Sequence, residues 1–136
     1  MRRIHIFFIC LALAFIMAPG CALKKLSDLP AEDQAVEYAN MLLGAYNATH
    51  HKYLEIKPSL TAEQREKAVP FVRSMNIARP AALLLAKNAE AWKTIAASQN
   101  ATLTEKARLK YRDQKVLAAE IWSETLGLWN RIRRQE

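Results

Sequence analysis

Two adjacent histidines and a nearby glutamate are the residues of this chain whose types are most typical of metal ligands. On a helix, His50 and His51 point about 100° apart, so they do not converge on one ion. His51 and Glu55 are four residues apart and could share a divalent ion, but only as two ligands of an incomplete site. No cysteine or third histidine completes that site, and the sequence has no Cys-x-x-Cys-His motif for haem. We therefore expect no metal and no other cofactor.

The sequence also contains no recognisable catalytic motif. No spacing suggests a Ser-His-Asp or Cys-His arrangement, and three glycines leave little for a phosphate-binding loop. Most acidic residues fall on outward helix faces as partners of Lys or Arg. The segment from Lys106 to Lys115 is basic, but its spacings of two spread the charges around a helix, as on a solvated face. We expect a protein that is not an enzyme and has no small-molecule substrate.

Cys21 follows a stretch that has the layout of an export signal. Arg2 and Arg3 precede an apolar run of about 14 residues, 4–17, and then three small or turn-forming residues, 18–20. The run is shorter than the roughly 20 residues of a permanent membrane-spanning helix, which leaves a retained signal anchor as the alternative. The predicted organisation is a signal peptide (1–20), a tether that begins at the cysteine (21–27) and a helical domain (28–136).

Ala18, Gly20 and Cys21 resemble the lipobox of bacterial lipoproteins, in which Leu, a small residue, and Gly or Ala precede the cysteine; Ala18 stands in the place of the Leu. The resemblance implies cleavage before Cys21 and attachment of a diacylglycerol to its sulfur and an acyl chain to its amino group. Such an anchor is sufficient for stable membrane attachment. In Gram-negative lipoproteins an Asp after the cysteine commonly retains the protein in the inner membrane. Ala22 at that place implies the periplasmic face of the outer membrane.

An ordinary small-x-small cleavage site in the same segment is the alternative, and it would leave a soluble exported protein. The cysteine count favours lipidation. Cys10 lies inside the predicted signal peptide, so Cys21 is the only cysteine of the mature chain. An unpaired thiol is a liability in an oxidising compartment unless it has a chemical role.

The mature chain is predicted to be moderately basic. The sequence has 20 Lys plus Arg against 13 Asp plus Glu, or +7, and removal of Arg2 and Arg3 leaves +5. Lys24 and Lys25 in the tether could rest on lipid phosphates or belong to a solvated linker. This charge permits contact with anionic lipid or nucleic acid without requiring either. Because export separates the protein from nucleic acid, we expect no nucleic-acid partner.

Apolar residues recur at alternating spacings of four and three along three segments, which predicts three long helices, each with one heptad seam. The Ala- and Leu-rich composition also favours helices. The predicted seams are Ala35, Ala39, Leu42, Tyr46, Thr49, Tyr53 and Ile56; Phe71, Met75, Ala78, Ala82, Leu85, Ala89, Trp92 and Ala96; and Ala107, Tyr111, Gln114, Ala118, Ile121, Thr125, Leu128 and Ile132. Helices with short connections bury such seams against one another, so we predict an all-α, antiparallel bundle.

Capping residues predict where each helix begins. Asp28 is the predicted N-cap of the first helix. Thr61 and Gln64 have the spacing of a capping box for the second helix, and Thr102 and Glu105 have the same spacing for the third.

The middle helix contains two prolines. Its seam keeps the same phase through Pro80, which predicts one helix from Thr61 to about Ser98, kinked near Pro70 and Pro80. The alternative is a short helix that ends near Ile77, followed by a new helix with Pro80 in its first turn.

Residues 60–65, Leu-Thr-Ala-Glu-Gln-Arg, resemble the Leu-Thr-x-x-Gln motif of the periplasmic stress proteins of the CpxP and Spy type, which are small helical chaperones and signalling adaptors. The resemblance implies a soluble periplasmic chaperone or stress adaptor. A generic capping box explains the same residues.

Trp122 and Trp129 lie seven residues apart beside the third seam, with Leu126 between them. They suit either core positions or the edge of a partner-binding groove. We predict a lipid-anchored, non-catalytic binding module that contacts another envelope protein or itself, with these three residues as the contact surface. The alternatives are the soluble chaperone or stress adaptor, and a phage- or plasmid-encoded envelope lipoprotein that acts in exclusion or lysis.

Overall fold

Three helices make up nearly all of residues 27–134, the part of the chain that this computed structural model describes. The elements are α1 (Ala31–Ile56), a 3-10 turn (Lys57–Ser59), α2 (Ala62–Ala97) and α3 (Ala101–Arg133). No strand occurs within these described residues, so the predicted all-α fold is confirmed. The predicted signal peptide, Cys21 and most of the tether lie outside them.

The middle helix, α2, is the central element. It packs closely along α1 on one side and along α3 on the other, whereas α1 and α3 meet mainly through long side chains. Asp33 in the first turn of α1 pairs with Lys93 near the end of α2, with 2.9 Å between Oδ1 and Nζ. Trp92, also near the end of α2, contacts Tyr111 in the first half of α3, with ring centroids 5.5 Å apart. Neighbouring helices therefore run in opposite directions, as predicted.

The core consists of two clusters, one at the end where α1 begins and one at the opposite end. We call them the near cluster and the far cluster. The near cluster contains Ala35, Ala39, Leu42, Ala81, Leu85, Ala89, Trp92, Tyr111 and Ala118. The far cluster contains Tyr46, Tyr53, Leu60, Ala68, Phe71, Met75, Ala78, Trp129 and Ile132. All three predicted seams contribute to these clusters, so the hydrophobic periodicity located the inward faces correctly.

A second buried stripe on α2 was not predicted. Ser74, Ala81 and Asn88 recur every seven residues beside the main seam, and all three are buried. Since α2 has a neighbour on each side, its buried surface is wider than the single stripe of a two-helix contact. Small and polar residues in this stripe concealed it from a search for apolar seams.

Both interior prolines lie within one continuous helix. α2 runs unbroken through Pro70 and Pro80, which confirms the single helix and not a break near Ile77. Each proline deprives the carbonyl four residues earlier of its N–H partner. Those carbonyls belong to Glu66 and Asn76, which are exposed, so water can satisfy them.

The start of α2 is the predicted capping box. Thr61 Oγ1 accepts a hydrogen bond from the backbone N–H of Gln64 at 3.2 Å, and Gln64 Oε1 accepts one from the N–H of Thr61 at 2.8 Å. The Leu-Thr-x-x-Gln residues thus have a structural role at this position.

The predicted start of α1 was wrong by two residues. The N-cap is Pro30, not Asp28, and no side chain caps it. Pro30 has an extended backbone, with φ −53° and ψ 150°, so the helix begins only after it. Its carbonyl accepts the first helical hydrogen bond, from the N–H of Gln34 at 3.0 Å.

The predicted cap of α3 was also wrong. Asn100, not Thr102, is the N-cap, and its Oδ1 accepts from the N–H of Leu103 at 3.1 Å. The reversal of the chain is completed at Gln99, whose φ of 58° lies in the left-handed region. The helix therefore starts early enough to include Thr102 in its first turn.

Candidate functional site

The histidine and glutamate first considered as metal ligands lie on the exposed face of α1. His51 Nδ1 is 3.8 Å from Glu55 Oε1. Glu55 is held more closely by Lys52, whose Nζ is 2.7 Å from Oε2, and this hydrogen bond and charge lower the pKa of Glu55. Among the described residues, no group of three or more His, Cys, Asp or Glu side chains could hold a metal ion. His51 and Glu55 thus belong, with Lys52, to an exposed cluster of polar side chains on α1.

The predicted contact surface on α3 is not an exposed patch. Trp129 is 6% exposed and belongs to the far cluster, where its ring centroid lies 5.4 Å from that of Phe71. Trp122 is partly buried and packs against both clusters, and Leu126 is partly buried. Trp129 therefore occupies a core position, the first of the two roles that suited it.

An apolar groove runs between α2 and α3 on the face of this helix pair that α1 leaves uncovered. We call it the open groove. It contains two cavities, of about 390 Å³ at the far end and about 240 Å³ at the near end. The far cavity is lined by Pro70, Arg73, Ser74, Ile77, Ile121, Glu124 and Leu128. The near cavity is lined by Asn88, Ala91, Ile95, Leu103, Lys106, Ala107 and Lys110.

Seven-residue spacing shows that the two cavities belong to one face. On α2 the stripe is Pro70, Ile77, Leu84 and Ala91, and on α3 it is Leu103, Lys110, Leu117 and Glu124. Residues seven apart lie on the same side of a helix. Leu84 and Leu117 therefore lie on this same face, between the two cavities along the helix axes.

Large apolar side chains in this groove are well exposed. Ile77 is 60% exposed, Leu84 44% and Leu117 49%. A row of exposed apolar side chains along α2 with exposed leucines beside it on α3 is typical of an interaction surface, whereas single exposed apolar residues are common on any protein. Sequence reasoning missed it because each helix was assigned one seam. The repeat of Ile77 and Leu84 beside the main seam was the available signal.

Charged residues flank the groove unevenly. Lys106 and Lys110 of α3 line the near end, and Glu124 of α3 lines the far end together with Arg73 of α2. Other cations of the basic segment have local partners. Arg108 binds Glu105 through two hydrogen bonds, of 2.7 and 2.6 Å. The two lysines are thus the members of this segment that face the open groove.

The open groove thus offers an apolar contact surface with charged side chains at both ends. No helix in that part of the chain is both long and apolar enough to cross a membrane. Comparison with protein-family models, curated proteins and solved structures found no match.

Proposed function

We propose that this chain is a small, non-catalytic binding module of the bacterial cell envelope. A lipid on Cys21 would hold it at the membrane, and the open groove would bind a helix of a protein partner. The observation that supports binding is the open groove itself, with its exposed Ile77, Leu84 and Leu117. The lipid anchor rests on the lipobox resemblance and on the single cysteine of the predicted mature chain.

The shape of the groove favours a helix as its occupant. The residues that line it on α2 run from Pro70 to Ile95, and 25 residues at 1.5 Å per residue give a length of about 38 Å. An amphipathic helix fits such a groove through side chains at spacings of three, four and seven. The molecule already contains a related arrangement, because α1 packs along α2 while the Tyr111 side chain of α3 reaches it.

A photoreactive amino acid placed in the groove tests the binding. We would introduce a benzophenone side chain at position 84 of the full-length chain in growing bacterial cells, and at position 83 as the matched control. Leu83 and Leu84 are similarly exposed, at 41% and 44%, but only position 84 lies on the stripe of the open groove. We expect discrete cross-linked products from position 84 and few or none from position 83.

Equal cross-linking from both positions, or none from either, would contradict a role of the groove in binding. Products with many different proteins would instead favour the chaperone of the Leu-Thr-x-x-Gln type.

The anchor is tested separately by Cys21→Ser. We expect the wild-type protein to partition into the detergent phase with the mass of an attached lipid, and the variant to lack that mass. If both proteins were found as the same unmodified chain in the aqueous phase, the lipoprotein assignment would be wrong while the binding role could stand.

A further inference from the structure

Four charged residues of α3, three of which line the open groove, are arranged as two like-charged pairs. Lys106 and Lys110 are four residues apart near its start, and Glu120 and Glu124 are four residues apart nearer its end. Like charges at this spacing repel each other on a helix surface. None of the four forms an ion pair within the described part of the chain. The two pairs are complementary in charge to each other but too far apart on one helix to meet.

One oppositely charged pair of this set, Lys110 and Glu124, is symmetric about Leu117, the central residue of α3. Leu117 lies seven residues from Lys110 in one direction and seven residues from Glu124 in the other. If a second copy of α3 lay antiparallel to the first with the two Leu117 side chains in contact, each Lys110 would face Glu124 of the other copy. A single surface can pair with itself in this way only around a twofold axis.

The α2 side of the groove has the same centre of symmetry. Leu84 lies seven residues from Ile77 and seven residues from Ala91, so an antiparallel second copy would place the large Ile77 against the small Ala91. Large and small side chains that alternate in this way interdigitate well.

Both centres lie at nearly the same level of the molecule. Ser74 contacts Thr125. Leu84 lies ten residues along α2 from Ser74, and Leu117 lies eight residues back along α3 from Thr125, a difference in height of about 3 Å. One twofold axis across the groove can therefore pass through both leucines.

We infer that the open groove is a self-association surface, and that two copies of this chain pack groove to groove as an antiparallel dimer about Leu84 and Leu117. This inference rests on the proposed binding role of the groove and names the partner. A face about 38 Å long and roughly 20 Å wide, the breadth of two helices, covers roughly 760 Å². That is close to the ~800 Å² per partner of a standard stable interface. The two α2–α3 pairs then form a four-helix core with α1 on each outer side.

Cysteine cross-linking in cells that express the full-length chain tests the dimer. We would compare Leu117→Cys with Val116→Cys, treating both with a short thiol-to-thiol cross-linker and using the wild-type chain as the baseline for its native cysteines. Val116 is 55% exposed but points about 100° away from Leu117 around α3. We expect a covalent dimer from Leu117→Cys well above the baseline, and baseline levels from Val116→Cys. No dimer from Leu117→Cys, or equal dimer from both variants, would overturn the inference.

Charge reversal tests the antiparallel register. In the Leu117→Cys background, Lys110→Glu or Glu124→Lys alone brings like charges together at two symmetric places, and we expect roughly tenfold less cross-linked dimer. The double reversal restores opposite charges, so we expect the dimer to return. Failure of the double variant to recover, after loss in both single variants, would overturn this register.

The photoreactive side chain at position 84 separates this inference from the proposed function. A product with twice the mass of the chain supports the dimer. Discrete products with other proteins only would overturn the dimer and leave the binding role standing, whereas no product would count against both.

Discussion

Ser74 Oγ and Thr125 Oγ1 lie 2.6 Å apart between α2 and α3, and both side chains are buried. Thr125 also hydrogen-bonds to the backbone carbonyl of Ile121 at 2.8 Å, where it must be the donor. Because a hydroxyl group has one hydrogen, Ser74 donates to Thr125. The two hydroxyls thus form a directed chain of hydrogen bonds across the buried interface between α2 and α3.

This direction predicts unequal effects of removing either hydroxyl. Ser74→Ala leaves Thr125 bonded to Ile121, so we expect a loss of about 1 kcal/mol or less in the free energy of unfolding. Thr125→Val has nearly the same shape but leaves the Ser74 hydroxyl without its partner, and we expect a loss of about 1–3 kcal/mol. Urea unfolding of the two variants followed by circular dichroism measures the difference.

The double variant is the control for this pair. When both hydroxyls are removed, no buried hydroxyl lacks a hydrogen-bond partner, so the double variant should be no less stable than Thr125→Val alone. Additive losses would show that the two hydroxyls act independently.

Trp129 is predicted to be essential to the far cluster. Its ring packs against Phe71, and Trp129→Ala would leave a large cavity, so we expect a loss of about 3–5 kcal/mol in the free energy of unfolding. Trp122 is only partly buried, so we expect Trp122→Ala to lower the free energy of unfolding by less than Trp129→Ala does. The midpoints of urea unfolding for the two variants measure this order. Equal costs, or a fully stable Trp129→Ala protein, would contradict the core role of Trp129.

The start of α3 provides a matched pair of capping variants. Asn100→Ala removes the side chain that accepts from the N–H of Leu103, and we expect it to lower the free energy of unfolding by about 1 kcal/mol. Thr102 lies exposed in the first turn, where Ala is a better helix former, so Thr102→Ala should be neutral or slightly stabilising. Thermal unfolding of both variants measures the contrast. A larger loss of stability for Thr102→Ala than for Asn100→Ala would show that Thr102 is the N-cap, as predicted from the sequence.

The three helices could be predicted from the sequence because their apolar seams are long and regular. The stripe from Phe71 to Trp92 holds its phase across Pro80, and that continuity predicted one helix correctly. The cap of α3 could not be predicted with the same security, because Asn100 and Thr102 are both good N-caps and the left-handed turn at Gln99 decides between them. The open groove was missed for a related reason. The repeat of Ile77 and Leu84 marks a second apolar stripe on α2, but only the positions of the neighbouring helices show that this stripe is left uncovered.

Tyr111 makes the stability of the bundle sensitive to alkaline pH. Its ring is buried against Trp92, and its hydroxyl donates to the carbonyl of Ala35 at 3.4 Å. Burial, with a smaller contribution from nearby Tyr38, raises the pKa of Tyr111 from 10.0 to about 12. The folded state therefore holds this proton more tightly than the unfolded state. Its contribution is fully present below about pH 10 and is lost as the pH rises through about 12.

Tyr111→Phe isolates this contribution from other groups that titrate at high pH. We would measure urea unfolding of both proteins at several values between pH 8 and pH 12. Phe cannot ionise and fits the same space, so the stability of the wild type relative to the variant should fall progressively above pH 10. Below pH 10 the two should differ by a constant amount, which reports the long hydrogen bond to Ala35. Parallel curves over the whole range would show that the phenol ionises as easily in the folded protein as in the unfolded chain, and therefore that water reaches it between α1 and α3.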